Sequence, residues 1–500
     1  MKKNKYDFLI IGSGFAGSIT AMILKQKGFA VLVAERGVHP RFAVGESSTP
    51  IADMILRDIS ERFDLPFLKK LSRYGTWQKY YPEIICGLKR GFSYYPHRPG
   101  EPFVSDANHK NELLVAASEN DTNSDTNWLR SDVDHFLVNE ARKLGIIIKE
   151  NATVEKLIKK GSNWTAEINT GGTNEVIRCD WVIDGTGSPH FSNRFFGTIS
   201  ESGQFETNSA AVFSHFEQTG RWLDYLNGKD FNTNDYPYDP DHSALHQIID
   251  EGWIWLLRFK NERLSAGIVL DLGLPDYSDK SPDQLWDEII GKYPSVYELF
   301  KNSSLAQIPG KFIKTGRLQR KLDQTYGDGW LALHHTSGFV DPLHSTGIAF
   351  TLSGVEKITG IFNPAESRAN ILLALGKIQK EFEEELSFID KLVACCYKSR
   401  WYFPLFTAAV MLYFIASVRY EQSRLNGNIP ETFLCAGDKD LKNLIEEIYG
   451  EIKSLDVTQN EIKAEEIIKM IQKRIEPYNS VGLMDPGAKN MYRHTAVEIN

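Results

Sequence analysis

The sequence is poor in cysteine, and this limits the kinds of protein it can be. Its 500 residues include five cysteines, at positions 86, 179, 395, 396 and 435, an odd number without C-x-x-C spacing. This usage argues against a disulfide framework and against a cysteine-ligated metal centre, so we predict no metal site. Reduced thiols of this kind are typical of a cytoplasmic protein.

An excess of positive charge is also lacking. The net charge is −8, whereas a surface that binds nucleic acid needs a basic face, so no nucleic-acid partner is expected. Internal repeats and low-complexity segments are not evident either. Because 42% of the residues are hydrophobic and 12% aromatic, the chain can bury a large core. We expect a globular protein that is a monomer or a homodimer.

One uncharged hydrophobic run, from Trp401 to Val418, raises the question of a membrane span. It contains Pro404, Thr407 and Ser417, and we interpret it as a buried core helix, with membrane insertion as the alternative. Its aromatic residues could line a pocket for a flat ring. Aromatic stripes at helical spacing, however, more often pack in a core.

The N-terminal segment carries a nucleotide-binding pattern. An apolar strand from Tyr6 to Ile11 is followed by the glycine turn 12–17, a helical run over 18–27, and a strand over 30–34 that ends at Glu35. Gly12 makes the turn, Gly14 lets a pyrophosphate approach the backbone, Gly17 packs helix on strand, and the acid accepts from ribose hydroxyls. Such a unit binds NAD or FAD; a tight turn without a ligand is the alternative.

Two further segments favour FAD over NAD. Residues 181–187 read as a strand that ends in a second glycine turn, and only one full nucleotide fingerprint is present. Flavoproteins with a fold similar to that of p-hydroxybenzoate hydroxylase place such a segment against FAD. Residues 45–50, Gly-Glu-Ser-Ser-Thr-Pro, resemble the flavin-mobile loop of one branch of that superfamily.

The stretch from Gly338 to Ile348 is predicted to be an anion site. An apolar strand over 330–334 precedes it and a helix over about 348–361 follows, with Ser345 or Thr346 as N-cap. Unpaired N–H groups and the positive end of a helix dipole therefore converge at the turn. A reduced flavin and a halide are both anions, and the turn could hold one on each side.

The remaining chain predicts an α/β fold with inserted material. Residues 98–127 are polar and read as a long surface loop or lid, 130–144 as an amphipathic helix, and 145–168 as a β meander. We expect an FAD-binding Rossmann-like core of the p-hydroxybenzoate hydroxylase type over about 1–90, 130–200 and 305–365. Sheet-rich substrate-domain material is expected over about 91–129 and 201–304, and a helical region over 366–500.

Four segments together resemble the flavin-dependent halogenases, above all the group that chlorinates the pyrrole ring of the aminopyrrolnitrin precursor. The tryptophan halogenases are related more distantly. The segments are the fingerprint with the loop 45–50, Cys86-Gly-Leu-Lys-Arg-Gly-Phe92, the stretch 125–137, and the stretch 338–348. The resemblance extends from residue 6 to about residue 360 and continues more loosely into the C-terminal helices.

The resemblance implies a reaction. Reduced FAD reacts with oxygen to give a flavin hydroperoxide, chloride or bromide attacks it, and hypohalous acid travels to a lysine beside an electron-rich aromatic such as a pyrrole or phenol. Lys89 occupies the position of that lysine. A lysine in an apolar, glycine-flanked strand is desolvated, which lowers its pKa toward a neutral amine that can form a haloamine. The alternative is a surface lysine next to Arg90.

The resemblance also assigns further site residues. Thr346 and Gly347 match the pair whose amides hold the halide, unless this is an ordinary helix N-terminus. His344 stands where tryptophan-directed relatives place a glutamate; it could take a proton from an arenium ion or a phenol, or be a neutral histidine packed near the flavin. The implied cofactor contacts are Gly12, Gly14, Ala16, Gly17, Glu35, Glu46, Ser47, Ser48, Arg130, Asp184, Gly185, Gly338, Asp341, Pro342, Gly347 and Ile348.

Two departures keep other functions open. His334-His335 replaces the usual Gly-Asp, and the W-x-W-x-I-P signature is present as Trp253 and Trp255 followed by Leu257-Arg258. A flavin monooxygenase or dehydrogenase on the same scaffold, or a non-catalytic flavin-binding protein, are the alternatives to a halogenase of secondary metabolism. Because no second nucleotide fingerprint is visible, reduced FAD is expected from a separate flavin reductase.

Overall fold

A computed structural model describes residues 5–274, 277, 279–456, 460–495 and 497. Its strands are β1 (Lys5–Ile11), β2 (Val31–Ala34), β3 (Cys86–Lys89), β4 (Gly91–Pro96), β5 (Leu113–Ala116), β6 (Asp125–Trp128), β7 (Ile147–Lys149), β8 (Ala152–Lys160), β9 (Asn163–Thr170), β10 (Thr173–Asp184), β11 (Ser200–Glu201), β12 (Ser209–Glu217), β13 (Ala244–Ile249), β14 (Gly252–Arg258), β15 (Leu264–Asp271), β16 (Ser304–Leu305), β17 (Ile313–Lys314), β18 (Arg320–Leu322), β19 (Tyr326–Gly327), β20 (Trp330–Ala332), β21 (Gly338–Phe339) and β22 (Met491–Tyr492).

Its α-helices are α1 (Phe15–Gln26), α2 (Pro50–Arg62), α3 (Pro66–Leu71), α4 (Tyr74–Tyr80), α5 (Arg130–Lys143), α6 (His190–Phe196), α7 (Trp222–Asn227), α8 (Pro282–Lys292), α9 (Pro294–Phe300), α10 (His334–Ser337), α11 (Thr346–Ile361), α12 (Arg368–Ser399), α13 (Phe403–Leu425), α14 (Lys439–Ser454) and α15 (Glu461–Ile475). Short 3-10 turns lie at Pro240–His242, Phe433–Cys435, Glu476–Tyr478 and Pro486–Ala488.

The first sheet carries the predicted nucleotide-binding unit. Strands β20, β10, β1 and β2 lie side by side and run parallel, and β7 extends the sheet beyond β2. The central strands are almost continuously apolar because helices cover both faces of such a sheet. Their carboxyl ends, at Ile11, Ala34, Asp184 and Ala332, meet at one edge, which is where a doubly wound sheet binds its ligand. The predicted β-α-β unit is confirmed. The predicted meander over 145–168 is confirmed in part, because β8 and β9 pair antiparallel whereas β7 pairs in parallel with β2.

A second, nine-stranded sheet forms the material predicted to be sheet-rich. Its order is β16-β12-β15-β14-β13-β4-β5-β22, with β17 also paired to β12. The prediction of a surface loop over 98–127 was wrong in part, because β5 and most of β6 fall within it. The run Leu113–Ala116 is fully buried. This run is only four residues long and stands in a polar stretch, so the sequence pattern alone did not indicate a strand there.

The C-terminal helices pack into the same hydrophobic core as the first sheet. That core includes Phe8 and Val355 on one side of the predicted division at residue 365, and Phe382 and Leu412 on the other. Helix α13 is long and apolar enough to cross a membrane, but 89% of its most apolar window is buried inside the protein. This burial is the behaviour expected of a core helix. The division into two regions at 365 stays a prediction.

The central stretch differs from its prediction in two details. The strand over 330–334 is shorter, β20, and His334 already begins the one-turn helix α10. Helix α11 begins at Thr346, two residues earlier than predicted, with Ser345 as N-cap. Ser345 has a positive φ of 54° and its side chain makes no capping hydrogen bond. The backbone amides of the first turn are thus left to another acceptor.

Candidate active site

The glycine turn after β1 packs so closely against neighbouring backbone that a side chain would not fit at two of its glycines. A Cβ atom on Gly12, where φ is +96°, would lie 2.6 Å from the carbonyl oxygen of Gly185. One on Gly17 would lie 2.1 Å from the carbonyl oxygen of Gly12, so helix α1 touches the turn directly. Ala16 is buried beside it in α1. Backbone atoms of both glycine turns therefore lie close enough to hold a dinucleotide at the start of α1.

Two guanidinium groups lie over this turn. Nη2 atoms of Arg130 and Arg41 are 3.5 and 3.7 Å from the position that a Cβ on Gly14 would take. Arg130 is held by Asp134, with Nε to Oδ1 at 3.0 Å and Nη2 to Oδ2 at 2.8 Å. Nε of Arg41 is buried without a partner among the described residues. Two cations at a helix N-terminus fit the pyrophosphate of FAD.

Glu35 ends β2 beside the same turn. Its Oε2 accepts from the backbone N–H of Ser13 at 2.9 Å and from the Ser13 hydroxyl at 3.1 Å. The Gly37 N–H donates to Oε1, and Arg41 forms an ion pair over 3.3 Å. Burial raises the pKa of this carboxyl, but the arginine and the hydrogen bonds outweigh it and lower the pKa overall. Glu35 is therefore an anion at neutral pH, as an acceptor for ribose hydroxyls must be.

The second glycine turn is completed by the histidine that departs from the superfamily pattern. Asp184 accepts from the Thr186 N–H at 3.0 Å and from the Ser192 hydroxyl at 2.6 Å. Nε2 of His335 lies 3.2 Å from the Gly185 carbonyl oxygen. Burial lowers the pKa of His335 to about 4, so the ring is neutral and donates this hydrogen bond. His335 thus braces the second glycine turn through this hydrogen bond.

The two glycine turns, Arg41, Arg130 and Glu35 together form the candidate FAD cradle. The loop 45–50 connects this cradle to Lys89. Arg130 Nη1 donates to the carbonyl oxygen of Gly45 over 3.1 Å. Three residues later, the carbonyl oxygen of Ser48 accepts from Nζ of Lys89 over 2.6 Å. Between them Glu46 is buried and paired with His215 at 3.2 Å. Ser47 forms a β-bridge with Asn127 of β6. The loop therefore contacts both predicted centres.

Lys89 ends β3 and is fully buried. Its Nζ lies 3.9 Å from the centre of the Phe92 ring, in addition to the Ser48 carbonyl. Burial lowers the pKa of Lys89 to about 8, against the opposing effect of Asp125 and Asp53. A substantial fraction of the side chain is a neutral amine near that pH. The surface-lysine alternative is excluded by this burial.

An aromatic cluster adjoins Lys89. It consists of Phe92 and Tyr94 on β4, His246 on β13, His344 before α11, and Tyr413 and Phe414 on α13, all of them buried. Phe92 lies against Tyr413 and Phe414 at 6.0 and 5.4 Å between ring centres. Tyr94 stacks on His246 at 4.5 Å. The cluster therefore brings the predicted aromatic residues of α13 next to the lysine.

His344 belongs to the cluster. Its ring stacks on Tyr413 with 4.5 Å between centres and an interplanar angle of 3°. Nε2 is 3.7 Å from Sγ of Cys396, and Nδ1 is buried without a partner among the described residues. Burial lowers the pKa of His344 to about 3. This environment favours the packed neutral histidine over the proton acceptor.

The turn before α11 has room next to its amides. A Cβ on Gly347 would meet no described atom within 4 Å. The carbonyl oxygen of Pro342 accepts from the Ser345 N–H at 2.9 Å, which closes the turn. Thr346 begins the sixteen-residue helix, and Ile348 is buried behind it. The geometry suits a small anion at the N-terminus of α11.

Asp341 is held by this turn and by neighbouring elements, and its Oδ1 accepts from the Leu343 N–H at 3.1 Å. Its Oδ2 accepts from the hydroxyls of Ser209 at 2.7 Å and Tyr397 at 2.9 Å, and Trp253 Nε1 donates to Tyr397 at 3.1 Å. Gly338 lies in β21, where a Cβ would meet Leu386 at 2.6 Å. In this state the carboxylate of Asp341 is thus used to tie β12, β14 and α12 together. Its role as a cofactor contact stays a prediction.

Sequence reasoning missed two carboxyl groups at the site. Asp53 lies in the first turn of α2 and Asp125 opposite Lys89 in the β3–β6 pair; both are buried. Asp125 was part of a motif without an assigned role. A signal for Asp53 was available, because it interrupts the apolar run from Ile51 to Leu56.

The chain is 25% identical over 488 residues to monodechloroaminopyrrolnitrin halogenase PrnC of Pseudomonas fluorescens, covering 90% of this chain and 82% of PrnC. It is 25% identical over 423 residues to tetracycline 7-halogenase of Kitasatospora aureofaciens, covering 83% and 73%. By sequence, the chain is related to the flavin-dependent halogenases. The resemblance predicted from the four segments is confirmed, although no model of a known protein family matches.

The fold agrees with this relationship. The crystal structure of halogenase PltM in complex with phloroglucinol and FAD superposes with a TM-score of 0.82 at 20% identity, covering 97% of this chain and 99% of PltM. At this identity the likeness concerns the fold alone. The mixed α/β fold of this chain is therefore like that of PltM, a halogenase that was crystallised with FAD.

Proposed function

We propose that this enzyme is an FAD-dependent halogenase that chlorinates or brominates an electron-rich aromatic compound, a pyrrole or a phenol, in secondary metabolism. The observation that carries the proposal is Lys89, a buried amine that lies beside an aromatic cluster and is joined by the loop 45–50 to the FAD cradle. Relatives are named for monodechloroaminopyrrolnitrin and tetracycline, and PltM was crystallised with phloroglucinol. Each of these compounds contains an activated aromatic ring.

The proposed reaction uses three groups of residues: the FAD cradle, the halide site and Lys89. Gly12, Gly14, Arg41 and Arg130 would hold the pyrophosphate, and Glu35 the ribose. Reduced FAD, when bound, supplies the reaction with oxygen that converts a halide into hypohalous acid. The amides of Thr346 and Gly347 would hold the halide. The product of that step reaches the neutral amine of Lys89.

The aromatic cluster gives the site its preference for an apolar, flat substrate. Neutral rings at His246 and His344 add no charge, since burial lowers the pKa of each to about 3. The enzyme would receive reduced FAD from a separate flavin reductase. It would act without nucleic acid and without membrane insertion.

The experiment is a reaction of the purified protein with FAD, a flavin reductase, NADH, bromide and a panel of phenols and pyrroles. High-resolution mass spectrometry is expected to show the bromine isotope doublet. Lys89→Ala should abolish bromination while FAD binding is retained. Oxygen added without bromine would instead indicate a flavin monooxygenase, and full bromination by Lys89→Ala would refute the assigned lysine.

Lys27 provides a matched control. Its Nζ also donates to backbone carbonyls, those of Thr359 and Phe362, and burial also lowers its pKa, but it lies at the end of α1 away from the aromatic cluster. Lys27→Ala should keep bromination. Lys27 is only partly buried, and a loss of activity in both variants would point to a general effect of removing a lysine that binds backbone carbonyls.

A further inference from the structure

Asn127 of β6 is a buried amide without a protein partner. Its exposed fraction is 0%, and neither Oδ1 nor Nδ2 has a hydrogen-bond partner among the described residues. Most buried polar side-chain atoms in native proteins are hydrogen-bonded, because an unpaired one destabilises the fold. Here the donor end and the acceptor end of one amide are both unpaired. The side chain therefore suits a small ligand that can donate and accept a hydrogen bond.

The strand register places this amide beside Lys89. In the antiparallel β3–β6 pair, Asp125 lies opposite Lys89 and Asn127 lies opposite Gly87. Residues that lie opposite each other share a face of the pair, and so do residues two apart on one strand. The side chains of Asn127 and Lys89 thus project from the same face as diagonal neighbours, with their Cα atoms about 7–8 Å apart. A molecule held at the amide is within reach of the long lysine side chain.

The loop 45–50 lies along the other edge of β6. Ser47 forms an antiparallel bridge with Asn127, so these two side chains also share a face. The Ser47 hydroxyl is enclosed and likewise has no partner in the described part of the chain. Gly45 of this loop accepts from Arg130 at the FAD cradle, and Ser48 accepts from Lys89. Along the loop, Ser47 and Asn127 therefore lie between the cradle and the lysine.

The chemistry of these two side chains suits a reagent that attacks most other polar groups. Hypohalous acid oxidises thiols and thioethers and halogenates amines and phenols, because each offers an electron pair to the halogen. The nitrogen lone pair of an amide is delocalised into its carbonyl group, and a neutral alcohol is a weak nucleophile. An amide and a hydroxyl can therefore hold hypohalous acid without consuming it. Its O–H can donate to Oδ1 of Asn127, while Nδ2 donates to its oxygen.

We propose that Asn127, together with Ser47, binds hypohalous acid on its way from the FAD cradle to Lys89 and so keeps it from escaping into solvent. The proposal rests on the proposed function, because the flavin reaction supplies the acid. No bond forms or breaks at Asn127.

The first test measures stability, because an amide reserved for a ligand is unfavourable in the free protein. Leucine has the branched shape of asparagine, with as many side-chain heavy atoms and no polar group. Asn127→Leu should therefore raise the apparent Tm by at least about 1 °C, measured without FAD and without bromide. Gln247→Leu is the matched control. Gln247 is equally buried, but its Oε1 lies 2.6 Å from Nε2 of His97, so this substitution should lower the Tm.

The second test measures the escape of hypobromous acid. The reaction contains FAD, a flavin reductase, NADH, bromide, an aromatic compound that the wild type brominates, and the diketone monochlorodimedone as a trap in solution. In Asn127→Leu the ratio of brominated diketone to brominated aromatic should rise at least about tenfold. The rate at which oxygen reoxidises enzyme-bound reduced FAD should stay unchanged. Gln247→Leu should give the wild-type ratio.

A second pair of variants separates hydrogen bonding from side-chain volume. Asn127→Ser keeps a donor and an acceptor, and Asn127→Ala differs from it by that one oxygen. The serine variant should therefore release less hypobromous acid than the alanine variant. If Asn127→Leu does not fold, this pair carries the test.

Three results would overturn the proposal. One is a wild-type product ratio in both Asn127→Leu and Asn127→Ala. Another is a lower Tm in Asn127→Leu, which would show that the amide is held by ordered water as part of the fold. The third is a higher KM for the aromatic with an unchanged ratio, since the amide would then bind the substrate. A wild type that brominates neither the diketone nor any aromatic would instead refute the proposed function itself.

Discussion

Nζ of Lys89 donates a hydrogen bond to the backbone carbonyl oxygen of Ser48 over 2.6 Å. Ser48 belongs to the loop whose first residue, Gly45, accepts from Arg130 at the FAD cradle. Four residues of backbone, Gly45 to Ser48, therefore join the FAD cradle to the amine of Lys89. Movement of the loop on binding the flavin would change the surroundings of the lysine amine directly.

Replacing Lys89 by arginine tests whether a neutral amine is required. The burial that lowers the pKa of Lys89 to about 8 cannot produce a neutral guanidine in the pH range of the assay. We expect Lys89→Arg to lower bromination by at least about 100-fold at every pH from 7 to 9. In the wild type the rate should rise with pH toward a plateau above about pH 8. An active arginine variant would favour a cation that only binds hypohalous acid.

Replacing Gly17 by alanine tests the FAD cradle. The new Cβ would lie 2.1 Å from the Gly12 carbonyl oxygen, so helix α1 must move away from the turn. We expect Gly17→Ala to weaken FAD binding by at least about tenfold, measured by fluorescence titration. Gly450→Ala in α14, where a Cβ meets no described atom within 4 Å, is the control and should bind FAD normally. Equal affinity in both variants would contradict the assigned cradle.

Two substitutions of His344 test whether it is a proton acceptor or a packed neutral histidine. With a pKa lowered to about 3 by burial, it is a weak proton acceptor at neutral pH. We expect His344→Gln to lower kcat by less than about tenfold, whereas loss of a true general base costs on the order of 100-fold. His344→Ala, which also removes the stacking on Tyr413, should lower the apparent Tm more. A 100-fold loss in His344→Gln with an unchanged Tm would establish the proton acceptor.

Asp341 is expected to make stability depend on pH. Burial raises its pKa to about 6 from an ordinary value of 3.8, so between these pH values the folded state binds more protons than the unfolded state. Stability contributed by this group therefore falls as pH rises from about 4 to 6, by about 3 kcal/mol at most. In Asp341→Asn, the free energy of unfolding should not show this fall between about pH 4 and 6. The check is the apparent Tm of both proteins at pH 4.5, 5.5 and 7; parallel curves would count against it.

Arg258 tests whether the altered W-x-W-x-I-P signature matters for chemistry. It points away from Trp253 and Trp255, donates to the Gly220 carbonyl at 2.7 Å and pairs with Asp241 at 3.5 Å. We expect Arg258→Met to destabilise the fold by about 2 kcal/mol, because buried Asp241 loses the nearer of its two cations and keeps only Arg221 at 3.9 Å. The ratio of brominated to hydroxylated product should not change. A rise in hydroxylation, detected by mass spectrometry, would show that this position does separate substrate from flavin.

Much of the site could be predicted because its signals are local. The glycine turn with Glu35, the strand that carries Lys89 and the helix after the turn 338–348 are contiguous patterns; the first two lie where predicted, and the helix begins two residues early. The short strand at Leu113 was missed because its four apolar residues stand alone in a polar stretch. Strand β5 exists because β4 pairs with it on one side and β22, from the far C-terminal part of the chain, pairs with it on the other.

The sequence by itself determined the family likeness, the nucleotide-binding unit and the identity of the candidate lysine, since these depend on residue types at fixed spacing. Only the tertiary structure decided the state of that lysine. Its burial, the carbonyl of Ser48 and the carboxyl groups of Asp53 and Asp125 come from three separate segments. The pKa of an amine depends on the solvent and charges around it, and those are set by the packing of segments that are far apart in the chain.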